Sequence, residues 1–281
     1  MTENALIKKI NRYFHDEEAA FFEKRHRSRI DAESLFYKSF FEGYFKGKEH
    51  ADILDIGTGT GLVPSSLNAG KYNFICSDIS FGMLNKTRQS NENRGVRLGY
   101  IISDAENLPF KAGTFDIVTC NAAMHHFPSI ESFAGEAGRV LKDGGFLVIG
   151  FEANRKFWAN RPLSLLYRII ARIGGASKAG PSYEAICRRV NERLLSDKTI
   201  GKPLPVAELL KYVDIHSPNA GKKIDPGKGF DIPGLVKGVF KGYEAKIIYH
   251  YKERPRAAGT VNKVFFPACA PQFSLILKKL R

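Results

Sequence analysis

The sequence predicts an α/β fold built on a doubly wound parallel sheet, and three observations carry that expectation. Short β-rich runs alternate with helical stretches between residues 51 and 152, which is the pattern of strand-helix-strand crossovers. Three glycines at every second position follow the first run, in Asp55-Ile-Gly57-Thr-Gly59-Thr-Gly61. Polar residues close the later runs at Asp78, Asp104 and Asn121, so the run ends converge on one crevice at the carboxyl edge of the sheet.

Taken in order, residues 5 to 45 read as two or three helices. Leu6, Ile7, Ile10, Tyr13 and Phe14 recur at helical spacing, and Leu35, Phe36, Phe40 and Tyr44 repeat the pattern. A Gly/Lys-rich link, Gly43 to His50, leads into the first strand, whose Ile53, Leu54 and Ile56 are apolar on both faces. The stretch Leu62 to Leu67 reads as the opening of a helix in which Pro64 is tolerated, because the first helical N–H groups lack intrahelical partners. Strands follow at Lys71 to Asp78, Tyr100 to Asp104 and Thr114 to Asn121, and a Gly144-Gly145 turn opens a fifth.

Glycine at 57, 59 and 61 removes each side chain from the bend, so a ligand can lie on the backbone, and the amides of the helix behind favour its negative end. The spacing disfavours a dinucleotide. That fingerprint needs Gly-x-Gly-x-x-Gly, whereas here its third position is Leu62. The order acid-x-Gly-x-Gly-x-Gly, followed by Asp78, Asp104-Ala105, Asn121 and Gly144-Gly145 in sequence, resembles the class I S-adenosylmethionine-dependent methyltransferases, in particular the ubiquinone/menaquinone-type branch acting on small molecules. The resemblance is close over residues 50 to 152. It implies a Rossmann-like sheet of seven strands, the last antiparallel and inserted between the fifth and sixth, with S-adenosylmethionine as cofactor. It assigns cofactor binding to Asp55, Gly57, Thr58, Gly59, Gly61, Asp78, Ile79, Asp104, Ala105 and Asn121, with Asp78 on the ribose diol and Asp104-Ala105 beside the adenine.

The expected organisation is an N-terminal helical cap (1–48), a cofactor-binding core (49–152), a helical insertion (153–230) and a C-terminal completion of the sheet (231–281). The insertion holds helical stretches at Pro162 to Ile173, Tyr183 to Leu195 and Val206 to Tyr212 between Gly/Pro-rich links, and reads as a lid over the acceptor site. A helix at Ile232 to Phe240 and strands at Tyr243 to Tyr251 and Gln272 to Leu277 close the chain.

Charge is divided unevenly. The formal net charge of +14 arises entirely after residue 150, where 25 Lys and Arg face 10 Asp and Glu. A basic region of this kind suits an anionic acceptor, an anionic lipid surface or nucleic acid, or is simply a solvated face. Four scattered cysteines, Cys76, Cys120, Cys187 and Cys269, form neither a metal motif nor a disulfide framework, so no metal is expected and a reducing cytoplasm fits. The N-terminus lacks the apolar core of a signal peptide, and no apolar run reaches membrane-spanning length. The segment Arg155 to Ile173 combines five basic residues and no acid with Trp158, Leu163, Leu166, Tyr167, Ile170 and Ile173. As a helix it either lies at the inner face of a membrane or packs on its own domain.

Methyl transfer is an in-line displacement for which proximity supplies much of the rate, and a hydroxyl acceptor gains further from a general base. His125 and His126, directly after the fourth strand, are the candidate bases, with Tyr183 and His216 behind them. The reading is therefore a methyltransferase for a small-molecule or lipid-like acceptor. The alternatives are an RNA or protein methyltransferase using the basic half, and a non-catalytic or NAD-binding Rossmann-like protein; the Asn-Pro-Pro-Tyr signature of amino-directed nucleic-acid enzymes is missing.

Overall fold

The computed structural model describes residues 1–44, 50–67, 72–92, 98–173, 181–218, 225, 227–251 and 269–281. Two helices open the chain, α1 (Glu3–Glu18) and α2 (Phe22–Tyr44). The Thr2 hydroxyl caps α1 by accepting from the Ala5 amide, satisfying a donor that the first turn leaves without an intrahelical partner.

Seven strands then form one sheet: β1 (Asp52–Ile56), β2 (Asn73–Asp78), β3 (Gly99–Ile102), β4 (Phe115–Asn121), β5 (Leu141–Ala153), β6 (Tyr243–His250) and β7 (Gln272–Lys279). Their spatial order is β3-β2-β1-β4-β5-β7-β6. The first five are parallel, and β7 runs antiparallel between β5 and β6, as the resemblance implied. Sequence order reverses between β1 and β4, which places the ligand crevice at their carboxyl ends.

Helices α3 (Leu62–Ser65), α4 (Phe81–Glu92) and α5 (Ile130–Val140) cross between strands. Ile53, Leu54, Ile117 and Val118 are fully buried on β1 and β4, because a parallel sheet is covered on both faces. One face packs on a core that includes Phe133, Val140 and Leu277, the other on Tyr37, Phe40 and Phe41 of α2. Adjacent Phe40 and Phe41 both reach the same side of the sheet, with ring centroids 5.0 Å apart. The helix after the glycines is only four residues long, against the six expected. The Ser66 amide already folds back onto the Leu62 and Val63 carbonyls, so its dipole adds little to ligand binding.

The insertion forms α6 (Arg155–Ala159), α7 (Arg161–Ile173), α8 (Tyr183–Ser196) and α9 (Val206–Val213). Part of it packs against the N-terminal helices. Ile186, Val190 and Leu194 of α8 and Leu209 and Val213 of α9 pack on Ile10, Tyr13 and Phe14 of α1, so this part of the insertion lies behind α1 and braces it. Trp158 follows the packed reading of its segment. The residue is 4% exposed, its indole N–H donates to the Pro271 carbonyl at 3.0 Å, and its ring meets Phe157 and Tyr167 edge-on. The side chains of Arg168, Ile170, Arg172 and Ile173 lie outside the described residues. No helix among the described residues is long and apolar enough to cross a membrane.

Candidate active site

The carboxyl ends of β1, β2, β3 and β4 open onto a cavity of about 370 Å³. The bend after β1 builds its floor. Gly57, Gly59 and Gly61 all adopt left-handed backbone, with φ of 64°, 56° and 84°, a conformation that other residues reach only with strain. A Cβ on Gly57 would stand 2.6 Å from that of Ala123, and one on Gly61 would stand 2.6 Å from the Thr87 methyl, whereas one on Gly59 meets nothing within 4 Å. Two of the glycines thus let the bend fit between β4 and α4, and the middle one leaves the open surface on which a ligand can rest.

Carboxylates hold this bend in shape. Asp55 accepts from the Thr58 hydroxyl at 2.7 Å and from Thr119 at 2.6 Å. Burial pushes its carboxyl up to about 6, against the pull of those two hydroxyls. Asp78 accepts from the Gly59 amide and the Ser80 amide, both at 2.9 Å, and burial raises it as well. The ring of backbone donors fixes where the Asp78 oxygens sit before any ligand arrives. Asp104 accepts from Lys8 at 2.6 Å, and the same ammonium reaches Glu106 at 2.7 Å. Asn121, ending β4, donates to Glu33 at 2.9 Å.

All ten residues expected to bind cofactor line this one cavity. The two histidines separate. His126 lines the cavity, and its Nδ1–H donates to the Val213 carbonyl at 2.7 Å. His125 turns to the fully buried Glu152, with 2.9 Å between Nδ1 and the carboxylate, and its Nε2 is 3.7 Å from Asp214. His125 does not figure among the described residues of the cavity wall. Neither do Tyr183, which lies under the Arg25 guanidinium, and His216, whose Nε2 is 3.2 Å from the Phe127 carbonyl. His125, His126 and Asp214 could offer donors to a metal within 4.8 Å of one another, but the Nδ1 atoms of both rings are committed to Glu152 and Val213.

The resemblance implied a cap from the N-terminal helices, but sequence reasoning named none of the residues by which they form the opposite wall. Phe22, His26, Ile30, Glu33 and Ser34 of α2 and Lys8, Asn11 and His15 of α1 complete the cavity. Burial pulls the His15 imidazole down, and the Glu18 carboxylate outweighs it and holds the ring above its ordinary value. The available signal was the stripe Phe22, His26, Ile30, Glu33, which puts titratable groups among apolar ones on a single helical face.

Residues 54–149 match the family described as methyltransferase domain. That segment is about a third of the chain, and it is similar to a methyltransferase domain. Over 99 residues the chain is 37% identical to a demethylmenaquinone methyltransferase of Thermus thermophilus, covering 34% of this chain and 45% of that one. Over 119 residues it is 32% identical to a malonyl-[acyl-carrier protein] O-methyltransferase of Geobacter sulfurreducens, covering 41% and 43%. The chain thus spans less than half the length of these curated relatives. A solved methyltransferase structure from Thermotoga maritima shares the fold at a TM-score of 0.53 and 17% identity, over 95% of this chain and 98% of that one. A solved structure that shares the fold, from Methanococcus maripaludis, is named for S-adenosylmethionine as that protein's methyl donor; it is 16% identical, at a TM-score of 0.50 over 95% of this chain and 94% of that one. The residues present here fit that donor: an open cradle at Gly59 and a pre-set carboxylate at Asp78.

Proposed function

We propose that this chain transfers a methyl group from S-adenosylmethionine to a small-molecule or lipid-like acceptor, with His126 as general base. The observation that carries the reading is one cavity lined both by the ten cofactor residues and by His126. The cofactor supplies an electrophilic methyl group on a positively charged sulfur. Asp78 has two oxygens fixed by backbone amides and spare acceptor capacity for a ribose diol. Donation from Nδ1 to Val213 fixes the His126 tautomer and leaves Nε2 as the basic nitrogen. As a hydroxyl acceptor takes the methyl group, its proton passes to that nitrogen. Residues of α1 and α2 form the wall of the cavity opposite the strand ends, and a wall on that side reduces access of water to the reacting groups.

An acceptor of lipid-like character is supported by α7, which turns Leu165 and Leu166 to solvent at 57% and 50% exposure. The test is incubation with methyl-labelled S-adenosylmethionine and a cell extract, followed by fractionation. Label in the small-molecule or lipid fraction is expected; label confined to RNA or protein would overturn the acceptor class. Calorimetric titration with S-adenosylmethionine and with NAD tests the donor, and tight binding of NAD alone would overturn the whole reading.

A further inference from the structure

The C-terminal part of α1 is seated on the turn that follows Asp78. Asp16 Oδ1 accepts from the Ser80 hydroxyl at 2.7 Å and from the Gly82 amide at 2.9 Å, so one carboxylate oxygen ties together the turn after β2 and the start of α4. The Gly82 amide is among the first donors of that helix, which have no partner within it. The second oxygen of Asp16 is 3.1 Å from the Arg193 guanidinium of α8, which holds the carboxylate from the side of the insertion. The seat is steric as well as polar. A Cβ on Gly82 would stand 2.9 Å from both the Cα and the carbonyl oxygen of Asp16, so α1 comes this close only because residue 82 has no side chain.

Ser80 joins this seat to the cavity. The residue is fully buried, and each of its polar groups has a fixed task. Its hydroxyl donates to Asp16, the hydroxyl oxygen accepts from the Met83 amide at 3.1 Å, and its own amide donates to Asp78 Oδ1 at 2.9 Å. Asp16 thus reaches Asp78 through one residue, although it does not itself figure among the described residues of the cavity wall. If the Asp16 carboxylate is removed, the Ser80 hydroxyl becomes a buried donor that has lost its acceptor, a state costly enough to shift the turn. The Gly59 amide would remain on the other oxygen of Asp78, but the Ser80 amide would no longer be held on the first.

Resting on the assignment of Asp78 to the donor's ribose, we propose that Asp16 is a positioning residue for Asp78, and that α1 sets the donor affinity of the site through the chain Asp16–Ser80–Asp78. Helix α1 then does more than wall the cavity: it fixes the geometry of a carboxylate on the strand side.

Calorimetric titration with S-adenosylmethionine, well below the melting temperature of each variant, tests this. Asp16→Ala should weaken binding at least about tenfold, equivalent to about 1.4 kcal/mol. Asp16→Asn keeps an Oδ1 acceptor for Ser80 and Gly82 and should stay within about threefold of wild type. Lys9→Ala is the control for general loosening of α1, because Lys9 pairs with Asp197 at 2.7 Å and makes no contact with the turn after β2 among the described bonds; it too should stay within about threefold. Gly82→Ala disturbs the same seat from the other side and should weaken binding at least about threefold. Unchanged affinity in Asp16→Ala, or an equal loss in Asp16→Asn or Lys9→Ala, overturns the assignment to Asp16 while leaving the donor reading intact. A wild type that does not bind S-adenosylmethionine overturns both.

Discussion

The two walls of the cavity are assembled in different ways. On the strand side, positions are set by neighbours close in sequence or in register: Asp55 with Thr58, Asp78 with Ser80, Gly59 with Asp78 across the β1–β2 pair. On the helical side, they are set by side chains far apart in the chain. Lys8 meets Asp104, Asp16 accepts from the Ser80 hydroxyl and the Gly82 amide, Tyr13 donates to Asp197, and Asn11 donates to the Tyr212 carbonyl. Helix α1 is thus held between the cofactor rim and the insertion. The strand wall is a backbone feature that other side chains inherit, whereas the helical wall is a set of bonds that substitution can undo one at a time.

Gly57→Val breaks the strand wall at its tightest point. The new side chain meets Ala123 at 2.6 Å from its Cβ alone, on backbone with φ of 64°. Left-handed strain of about 1–2 kcal/mol adds to overpacking of about 1–3 kcal/mol. Binding of S-adenosylmethionine, followed by calorimetry, should be lost. Gly59→Ala has the strain without the clash, so it should keep the fold and lose affinity only; equal melting temperatures for the two variants would show that the bend is not packed as described.

The next effect falls where the walls meet. His126 lies in the cavity but is held by Val213 of the insertion, whereas His125 is held by Glu152 of β5. If His126 is the base, His126→Ala should lower kcat by about 10²–10⁴-fold with little change in cofactor affinity. His125→Ala should act through positioning and cost less. Steady-state kinetics on the acceptor found by label transfer measure both, and a larger loss in His125→Ala would exchange their roles.

The same contrast explains what could be read from the residues alone. Gly57 to Gly61, Asp78, Asp104 and Asn121 were legible because strand ends and tight bends are local, and their residue types are dictated by backbone geometry. The order of β7 between β5 and β6 followed from resemblance and holds in the structure. The α1–α2 wall was not legible in detail, because periodicity shows that Phe22, His26, Ile30 and Glu33 share a face but not what that face meets. The packing partner of the insertion was illegible for the same reason. The apolar stripe of α8 predicts burial but not its partner, and in the structure Ile186, Val190 and Leu194 share one core cluster with Ile10, Tyr13 and Phe14 of α1.

A smaller effect tests the cost of the strand wall through pH. The Asp55 carboxyl is raised from its ordinary 3.8 to about 6 by burial, so the folded state holds that proton more tightly than the unfolded chain. Its contribution therefore favours folding below about pH 4 and declines as pH climbs through about 6. The difference corresponds to about 3 kcal/mol at roughly 1.4 kcal/mol per pH unit. Asn at this position keeps partners for Thr58 and Thr119 without the charge. Asp55→Asn should gain stability relative to wild type as pH rises from 4 to 7, measured by denaturant unfolding at each pH. A difference independent of pH would mean that Asp55 is ionised in the fold at ordinary cost.

The smallest effect on stability lies farthest from both walls, on α7. Leu163 is buried beside Phe157, Trp158 and Cys269, so the inward face of the helix serves the fold, while Leu165 and Leu166 point outward beside exposed Arg161. Replacing both leucines with serine should change folding stability by no more than about 0.5 kcal/mol each, as for surface positions generally. If these side chains insert into a bilayer, each loses roughly 1.5–3 kcal/mol of burial in lipid on substitution. Co-sedimentation with vesicles of anionic and of neutral lipid should then fall at least about tenfold in the double variant, and the anionic vesicles should bind the wild type more tightly because basic residues contribute about 1 kcal/mol each near such a surface. Equal pelleting of wild type and variant would leave the leucines as ordinary exposed apolar residues, and acceptor delivery would then depend on the α2 side of the cavity alone.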